Sequence, residues 1–328
     1  MSTVQFAQIE PTTRCNFTCG FCAGRSMRQG DLPWEAFERF LQLNPNLRHV
    51  ELQGEGEPLF HPRFFDMVSA CRARDIKVSL ISNGSLLGPA QVDHLIEQGV
   101  ESIHISLESA DPEEFRSIRG GKFSKVVQGV SLLMQRRREL GKDRPVVGFC
   151  VTVLRRTLGA IQKIVELYKE LGLDGGISFQ PLQDMSCYTE HYDQEMLKQV
   201  VPAELWRGYL RQLPAALATV RRKTGIRTYY QALFAGFNAA SGKCPWLERG
   251  AYLNIDGSVT GCCFMKSPHH AFGNVISDPP ELISERRLAL AQALFNRVIP
   301  NQCSGCATAK AVTRRPQTRQ ISLRVVSY

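Results

Sequence analysis

No run of about 20 apolar residues, the length a helix needs to cross a bilayer, occurs anywhere in the 328 residues. The opening stretch, Met1 to Glu10, lacks the basic flank and apolar core of a secretory leader. These two absences exclude a helical membrane protein and a leader-directed exported one, and they predict a cytoplasmic chain with no membrane partner. The seven histidines form no H-x3-H or Cys–His pairing, so the usual histidine-based metal-site patterns are missing. No helix-turn-helix, zinc-finger or aromatic RNA-binding pattern accompanies the net charge of +9. Arg136 to Arg138, Arg221-Arg222-Lys223 and the tail from Arg314 to Arg324 therefore read as solvated surface, and nucleic acid is not expected as a partner. Repeats and low-complexity linkers are absent too. What the chain has in quantity is cysteine, eleven in all. In a reducing compartment, clustered cysteines favour metal ligation over disulfides.

The length suits one large α/β domain and a smaller one, and 43% hydrophobic with 22% charged residues is a globular composition. Strand-like runs at 4–9, 47–52, 76–81, 100–107, 146–153 and 176–180 alternate with helical patterns at 33–43, 62–74, 89–98, 123–140 and 158–171. Such alternation predicts a parallel sheet wound by right-handed crossovers. Six strands are too few for a closed eight-fold barrel, so the fold class is α/β: a partial (β/α)6 barrel over 1–182, with its chemistry on loops at the strand C-termini. A helical connecting segment follows over 183–243, then a small Cys-rich α+β domain over 244–310 and a basic tail over 311–328. Within the small domain, Asp256-Gly257 between Ala251–Ile255 and Ser258–Thr260 predicts a hairpin.

Two cysteine sets carry the chemistry. Cys15, Cys19 and Cys22 have C-x3-C-x2-C spacing directly after the first strand. Three thiolates on one tight loop can hold three irons of a cubane and leave the fourth open to a substrate, which a four-cysteine site cannot do. A zinc site wants four ligands in paired knuckles, and nothing nearby completes this set. The second set is Cys244, Cys262, Cys303 and Cys306, a distant pair plus a C-x2-C knuckle, whose spacing alone suits zinc or iron–sulfur. Cys71 and Cys150 fall in apolar elements and read as packing residues. Tyr188 and His191 lie near the expected barrel mouth.

Over residues 4–182 the sequence closely resembles the radical S-adenosylmethionine (SAM) enzymes, which carry C-x3-C-x2-C with an aromatic residue, here Phe21, before the third cysteine. Gly54-Glu55-Gly56-Glu57-Pro58 resembles that family's Gly-Gly-Glu motif, with Gly56 and Glu57 as its core pair and Glu55 where many members have Gly or an apolar residue. The resemblance implies a [4Fe–4S] cluster on Cys15, Cys19 and Cys22, with SAM chelating its open iron. It implies SAM contacts from Phe21, Gly56, Glu57, Asn83, the ribose-binding Ser106 and the carboxylate-binding Arg119. The C-terminal set, with Gly257 separated by four residues from Cys262 and Gly273-Asn274 after it, resembles the Twitch module, a shortened SPASM domain that holds one auxiliary [4Fe–4S] cluster.

The implied activity is that of an oxidoreductase or epimerase. Reductive SAM cleavage, fed by a flavodoxin- or ferredoxin-type donor, gives a 5′-deoxyadenosyl radical that takes hydrogen from a substrate C–H. The expected substrate is a sugar- or cyclitol-like small molecule, because the chain shows no N-terminal winged-helix peptide-recognition module. Modification of a ribosomally made peptide is the alternative. An iron–sulfur scaffold without activity and an RNA-modifying enzyme are further readings. Cys187 and Cys263 are the candidate hydrogen-atom donors for an epimerase.

Overall fold

The computed structural model describes residues 3–182, 184–209, 211, 243–265 and 268–314. Six parallel strands are laid down in chain order: β1 (Phe6–Ile9), β2 (His49–Leu52), β3 (Lys77–Ser82), β4 (Ser102–Ser106), β5 (Val146–Val153) and β6 (Ile177–Pro181). The intervening helices are α1 (Trp34–Leu43), α2 (Phe64–Arg72), α3 (Pro89–Glu97), α4 (Pro112–Arg119), α5 (Phe123–Glu139) and α6 (Ile161–Glu170). Each strand alternates. Ala7, Ile9, Val50, Leu52, Val78, Leu80, Ile103 and Ile105 face outward and share one apolar core with the buried faces of the helices. Phe37, Phe40, Met67, Leu95 and Leu133 are their helical partners in that core. The opposite face of every strand points into the barrel.

Helix α4 is not anticipated by the alternation pattern, although its ends are strongly marked. Asp111 accepts hydrogen bonds from the backbone N–H groups of Glu113 (3.1 Å) and Glu114 (2.9 Å). Pro112 stands at the first helical position, and Gly120 closes the helix in the left-handed conformation.

The C-terminal segment continues the same sheet. After the short helices α7 (Ser186–Thr189) and α8 (Gln194–Leu197) come α9 (Pro245–Arg249) and β7 (Gly250–Leu253). Strand β7 pairs in parallel with β1, Gln8 opposite Tyr252 and Ile9 opposite Leu253. The predicted hairpin turns at Asp256-Gly257 into β8 (Ser258–Thr260), and β9 (Gly273–Asn274) completes an antiparallel edge. The strand order is therefore β6-β5-β4-β3-β2-β1-β7-β8-β9. Helices α10 (Pro280–Phe295) and α11 (Ala307–Thr313) follow. Much of the predicted helical connection, 212–242, and the tail from 315 onward lie outside the described residues. No helix among the described residues is long and apolar enough to cross a membrane.

Candidate active site and cluster sites

In many closed barrels the interior is filled by Val, Ile and Leu. Here the inward positions are Gln8 on β1, Glu51 on β2, Ser79 and Ile81 on β3, and Ser102, His104 and Ser106 on β4. Cys150 and Thr152 on β5 and Ser178 and Gln180 on β6 complete the ring. Polar side chains that do not fill the centre leave a cavity of about 580 Å³. The alternation in His-Val-Glu-Leu and Ser-Ile-His-Ile-Ser, with apolar residues outward only, is the signal that foretells this hollow.

The cysteine loop crosses the C-terminal mouth of that cavity, and Cys15, Cys19, Cys22 and Phe21 all line it. The loop is held at several points. The Nδ2 of Asn83 donates to Asn16 Oδ1 (2.8 Å) and lies 3.7 Å from the Cys15 sulfur, while Ser85 Oγ donates to Asn83 Oδ1 (2.7 Å). The backbone N–H of Thr18 donates to the Arg119 carbonyl (2.9 Å). The loop lies against Gly120 and Gly121, where a methyl group would stand 2.1 Å from Thr18 Oγ1 and 2.2 Å from the Phe17 ring respectively. Burial pushes the Cys19 thiol up to about 11 and raises Cys15 as well, so metal binding must displace protons here.

The loop after β2 packs against the cysteine loop through backbone contacts that only glycine permits. A methyl group at Gly56 would stand 2.3 Å from the Thr12 carbonyl oxygen and 2.6 Å from that of Arg14. Gly56→Ala is therefore expected to weaken SAM binding at least about tenfold, or 1.4 kcal/mol. Gly159→Ala, where nothing lies within 4 Å, serves as a control that leaves binding in place. Equilibrium dialysis with labelled SAM measures both.

Glu57 is buried and ties three loops together. It accepts from Ser82 Oγ (2.8 Å), the Asn83 N–H (2.6 Å) and the Leu59 N–H (3.3 Å), and its own N–H donates to the Arg14 carbonyl (2.9 Å). Burial pushes its carboxyl up to about 7 from an ordinary 4.5, against the pull of these donors. The folded protein then keeps a proton that the unfolded chain gives up. Its contribution to stability is full below pH 4.5 and lost as pH rises through about 7, a change on the order of 3 kcal/mol. In urea unfolding of the metal-free protein, the stability of wild type relative to Glu57→Gln should fall across that window. A flat difference would contradict the buried, protonated carboxyl.

Arg119 also lines the cavity, but its guanidinium is gripped from behind by Glu108. Nη2 donates to Glu108 Oε1 at 2.6 Å, Nε donates to Oε2, and both side chains are buried. Nη1 lies 3.7 Å from the Cys19 sulfur, and the guanidinium sits 5.8 Å from the centre of the Phe21 ring. Asn83, Ser106, Gly56 and Glu57 border the same cavity, so all six residues expected around SAM are brought together with the three cysteines. Glu108, Glu51, Gln53 and the Gly120-Gly121 pair are absent from the sequence-based reading. The glycine pair had a local sequence signal, and so did Glu51 through the alternation in His-Val-Glu-Leu.

The remaining thiols sort differently from expectation. Cys71 is fully buried in the core, as predicted. Cys150 is not a packing residue: it points inward from β5 and lines the cavity, where burial pushes its thiol up to about 12. Cys263 and Tyr188 line the cavity, whereas Cys187 does not border it. His191 is turned to Ser26, its Nδ1 2.7 Å from the hydroxyl, and likewise stands off the cavity wall.

Cys244, Cys262, Cys303 and Cys306 border a second, smaller cavity of about 60 Å³ with Met185, Trp246, Leu247, Phe264, Met265, Leu290 and Leu294. Four thiols around an apolar hollow fit a cubane, as the three thiols and an open side fit one at the barrel mouth. Trp246 and Phe264 belong to the walls of both cavities.

Residues 9–175 match the sequence family described as the Radical SAM superfamily. The chain is 27% identical over 177 residues to the tungsten-containing aldehyde ferredoxin oxidoreductase cofactor-modifying protein of Pyrococcus furiosus, covering 52% of this chain and 50% of that protein. It spans about half the length of the curated relatives it matches. Its fold is similar to that of Streptococcus suis SuiB bound to the precursor peptide SuiA, with a TM-score of 0.68, 18% identity and coverage of 95% of this chain and 71% of that one. Similarity to anSMEcpe with bound AdoMet gives a TM-score of 0.70 at 18% identity, over 94% of this chain and 84% of that one.

Proposed function

The chain belongs to the radical SAM superfamily and is an enzyme with SAM and [4Fe–4S] cofactors, and from that premise we propose that its substrate is a ribosomally made peptide. When bound, the cluster and SAM supply the one-electron cleavage that yields a 5′-deoxyadenosyl radical, fed by a flavodoxin- or ferredoxin-type donor. Cys15, Cys19 and Cys22 hold the cluster at the barrel mouth. Gly56 and Glu57 receive the SAM ammonium, while Ser106, Asn83, Phe21 and Arg119 wall the nucleoside and carboxylate. The barrel interior below them holds the substrate C–H and keeps bulk water from the radical. Cys244, Cys262, Cys303 and Cys306 hold the auxiliary cluster across the shared wall of Trp246 and Phe264. Cys263 and Cys150 are the thiols placed to return a hydrogen atom; Cys187, off the cavity, is the weaker candidate.

The observation that carries the peptide reading is the likeness in fold, over 94–95% of this chain, to SuiB with its bound precursor SuiA and to anSMEcpe with bound Cp18Cys peptide. A second reading, oxidation or epimerisation of a sugar- or cyclitol-like alcohol, is favoured by the ring of hydroxyl, amide and carboxylate side chains inside the barrel. Mass spectrometry separates the two. The reconstituted enzyme, SAM and reductant are offered short peptides encoded beside its gene, and in parallel a panel of cyclic polyols. Loss of two hydrogens, or uptake of one deuterium in heavy water, by a peptide supports the first reading. Unaltered peptides with an oxidised polyol would replace it with the second.

A further inference from the structure

Arg287 projects from α10 into the C-terminal module and is 6% exposed. Its Nε and Nη2 donate to the Leu247 carbonyl at 2.9 and 2.7 Å, and Nη2 lies 3.4 Å from the Trp246 carbonyl. Burial pulls its pKa down to about 10, so the guanidinium keeps its charge at neutral pH. Among the described residues no carboxylate pairs with it, and the group whose charge acts on it is Cys244, a thiol of the second cluster site. Taking a guanidinium out of water costs several kcal/mol, which carbonyl oxygens offset in part and an anion offsets further.

The carbonyls that Arg287 grips belong to α9, the short helix that begins directly after Cys244. The N–H of Gly250 donates to the Trp246 carbonyl, and Arg287 takes up the Leu247 carbonyl that the end of the helix leaves over. On the other side of the same turn, burial raises the Cys244 thiol while the backbone N–H groups of Leu247 and Trp246 favour its thiolate. The Trp246 carbonyl and the Leu247 N–H are the two ends of one peptide unit. A guanidinium at the carbonyl end polarises the unit and strengthens the pull of its N–H on the sulfur. Arg287 thus acts on Cys244 both through space and through the backbone of Trp246, which stands in the walls of both cavities.

We propose that Arg287 sets the reduction potential of the auxiliary cluster, holding it up by its buried charge and by the peptide unit it polarises toward Cys244. The inference rests on the reading that Cys244, Cys262, Cys303 and Cys306 hold that cluster. A cubane on four thiolates is an anion, and reduction adds to its charge, so a fixed cation beside a ligand favours the reduced form. Hydrogen bonds to the ligand sulfurs act in the same direction. A higher potential makes the cluster the better electron acceptor. A residue that only capped α9 would leave the potential unchanged when replaced by a neutral donor.

The auxiliary cluster is measured without its neighbour in the full-length Cys19→Ala protein, anaerobically reconstituted, poised with redox mediators and followed by electron paramagnetic resonance of the reduced form. In that background Arg287→Met and Arg287→Gln should shift the equilibrium toward the oxidised cluster at least about tenfold, a fall of about 59 mV or more for one electron. Arg287→Gln keeps an N–H donor for the Leu247 carbonyl, so it removes the charge and leaves a cap. Arg287→Lys keeps the charge without the planar fork and should stay within about threefold of its parent. A neutral variant that holds about four irons at a potential within threefold of the parent overturns the proposal. Should neither neutral variant hold iron, retention by Arg287→Lys shows that the charge is what the site needs, and loss from all three variants overturns the proposal in favour of packing alone. A Cys19→Ala parent without iron or signal fails differently: it removes the four cysteines as the ligand set, and the role of Arg287 with them.

Discussion

Cys19→Ala is expected to abolish SAM cleavage and to remove about four irons per chain, the content of one cubane, while the C-terminal cluster remains. Cys19 is the buried member of the triad, 7% exposed, with Arg119 Nη1 3.7 Å from its sulfur. Its position is fixed by the backbone hydrogen bonds of the loop to α4 and by the Asn16 side-chain hydrogen bonds to Asn83 and Ser85 of the β3 loop, so no other thiol can move into its place. Loss of a direct ligand should exceed the roughly 10–100-fold effect of losing an outer-shell partner. Cys71→Ala is the control, since Cys71 sits in the helix core and should lose stability but keep iron and activity. Iron assay and chromatography of 5′-deoxyadenosine on the two variants decide the matter. Full iron and normal cleavage in Cys19→Ala would remove the triad from the mechanism.

Glu108→Ala is expected to destabilise the protein by about 3–5 kcal/mol, because it strands a buried guanidinium. The pair is bidentate and buried, and Arg119 has no other carboxylate within ion-pair distance among the described residues. Replacing both partners, as Glu108→Met with Arg119→Met, should cost less than Glu108→Ala alone, since no uncompensated charge remains. The double variant should nonetheless bind SAM poorly if Arg119 faces the SAM carboxylate. Urea unfolding gives the first comparison and SAM dialysis the second. A Glu108→Ala cost within about 1 kcal/mol, the range of an exposed pair, would show that water reaches the guanidinium.

The parts of the fold and site that depend on local sequence were legible, and those that depend on distant pairing were not. The six strands and their loops follow from alternation and from Gly and Pro punctuation. Placing the cysteines, Gly56-Glu57, Asn83 and Ser106 at successive strand ends already brings them to one mouth. Helix α4 carried its own start signal in Asp111-Pro112-Glu113-Glu114, hidden because strand–helix counting assigns one helix per crossover and this crossover has two. The parallel pairing of β7 with β1 joins residues some 240 positions apart, and no hairpin signal announces a non-local partner. Glu108 is one of many acidic residues until the fold sets it behind Arg119. Cys150 looked like a packing thiol because strand β5 is apolar by composition, and only its parity with Thr152 reveals the inward face.

The central claim is that the barrel mouth holds a cluster and SAM in reactive contact. The most direct measurement is the amount of 5′-deoxyadenosine formed when the anaerobically reconstituted protein receives SAM and dithionite, with iron counted in the same sample. Two cubanes, about eight irons per chain, and 5′-deoxyadenosine above the protein-free control are the predicted result. A fully iron-loaded protein that leaves SAM intact, with and without peptide, would contradict the account.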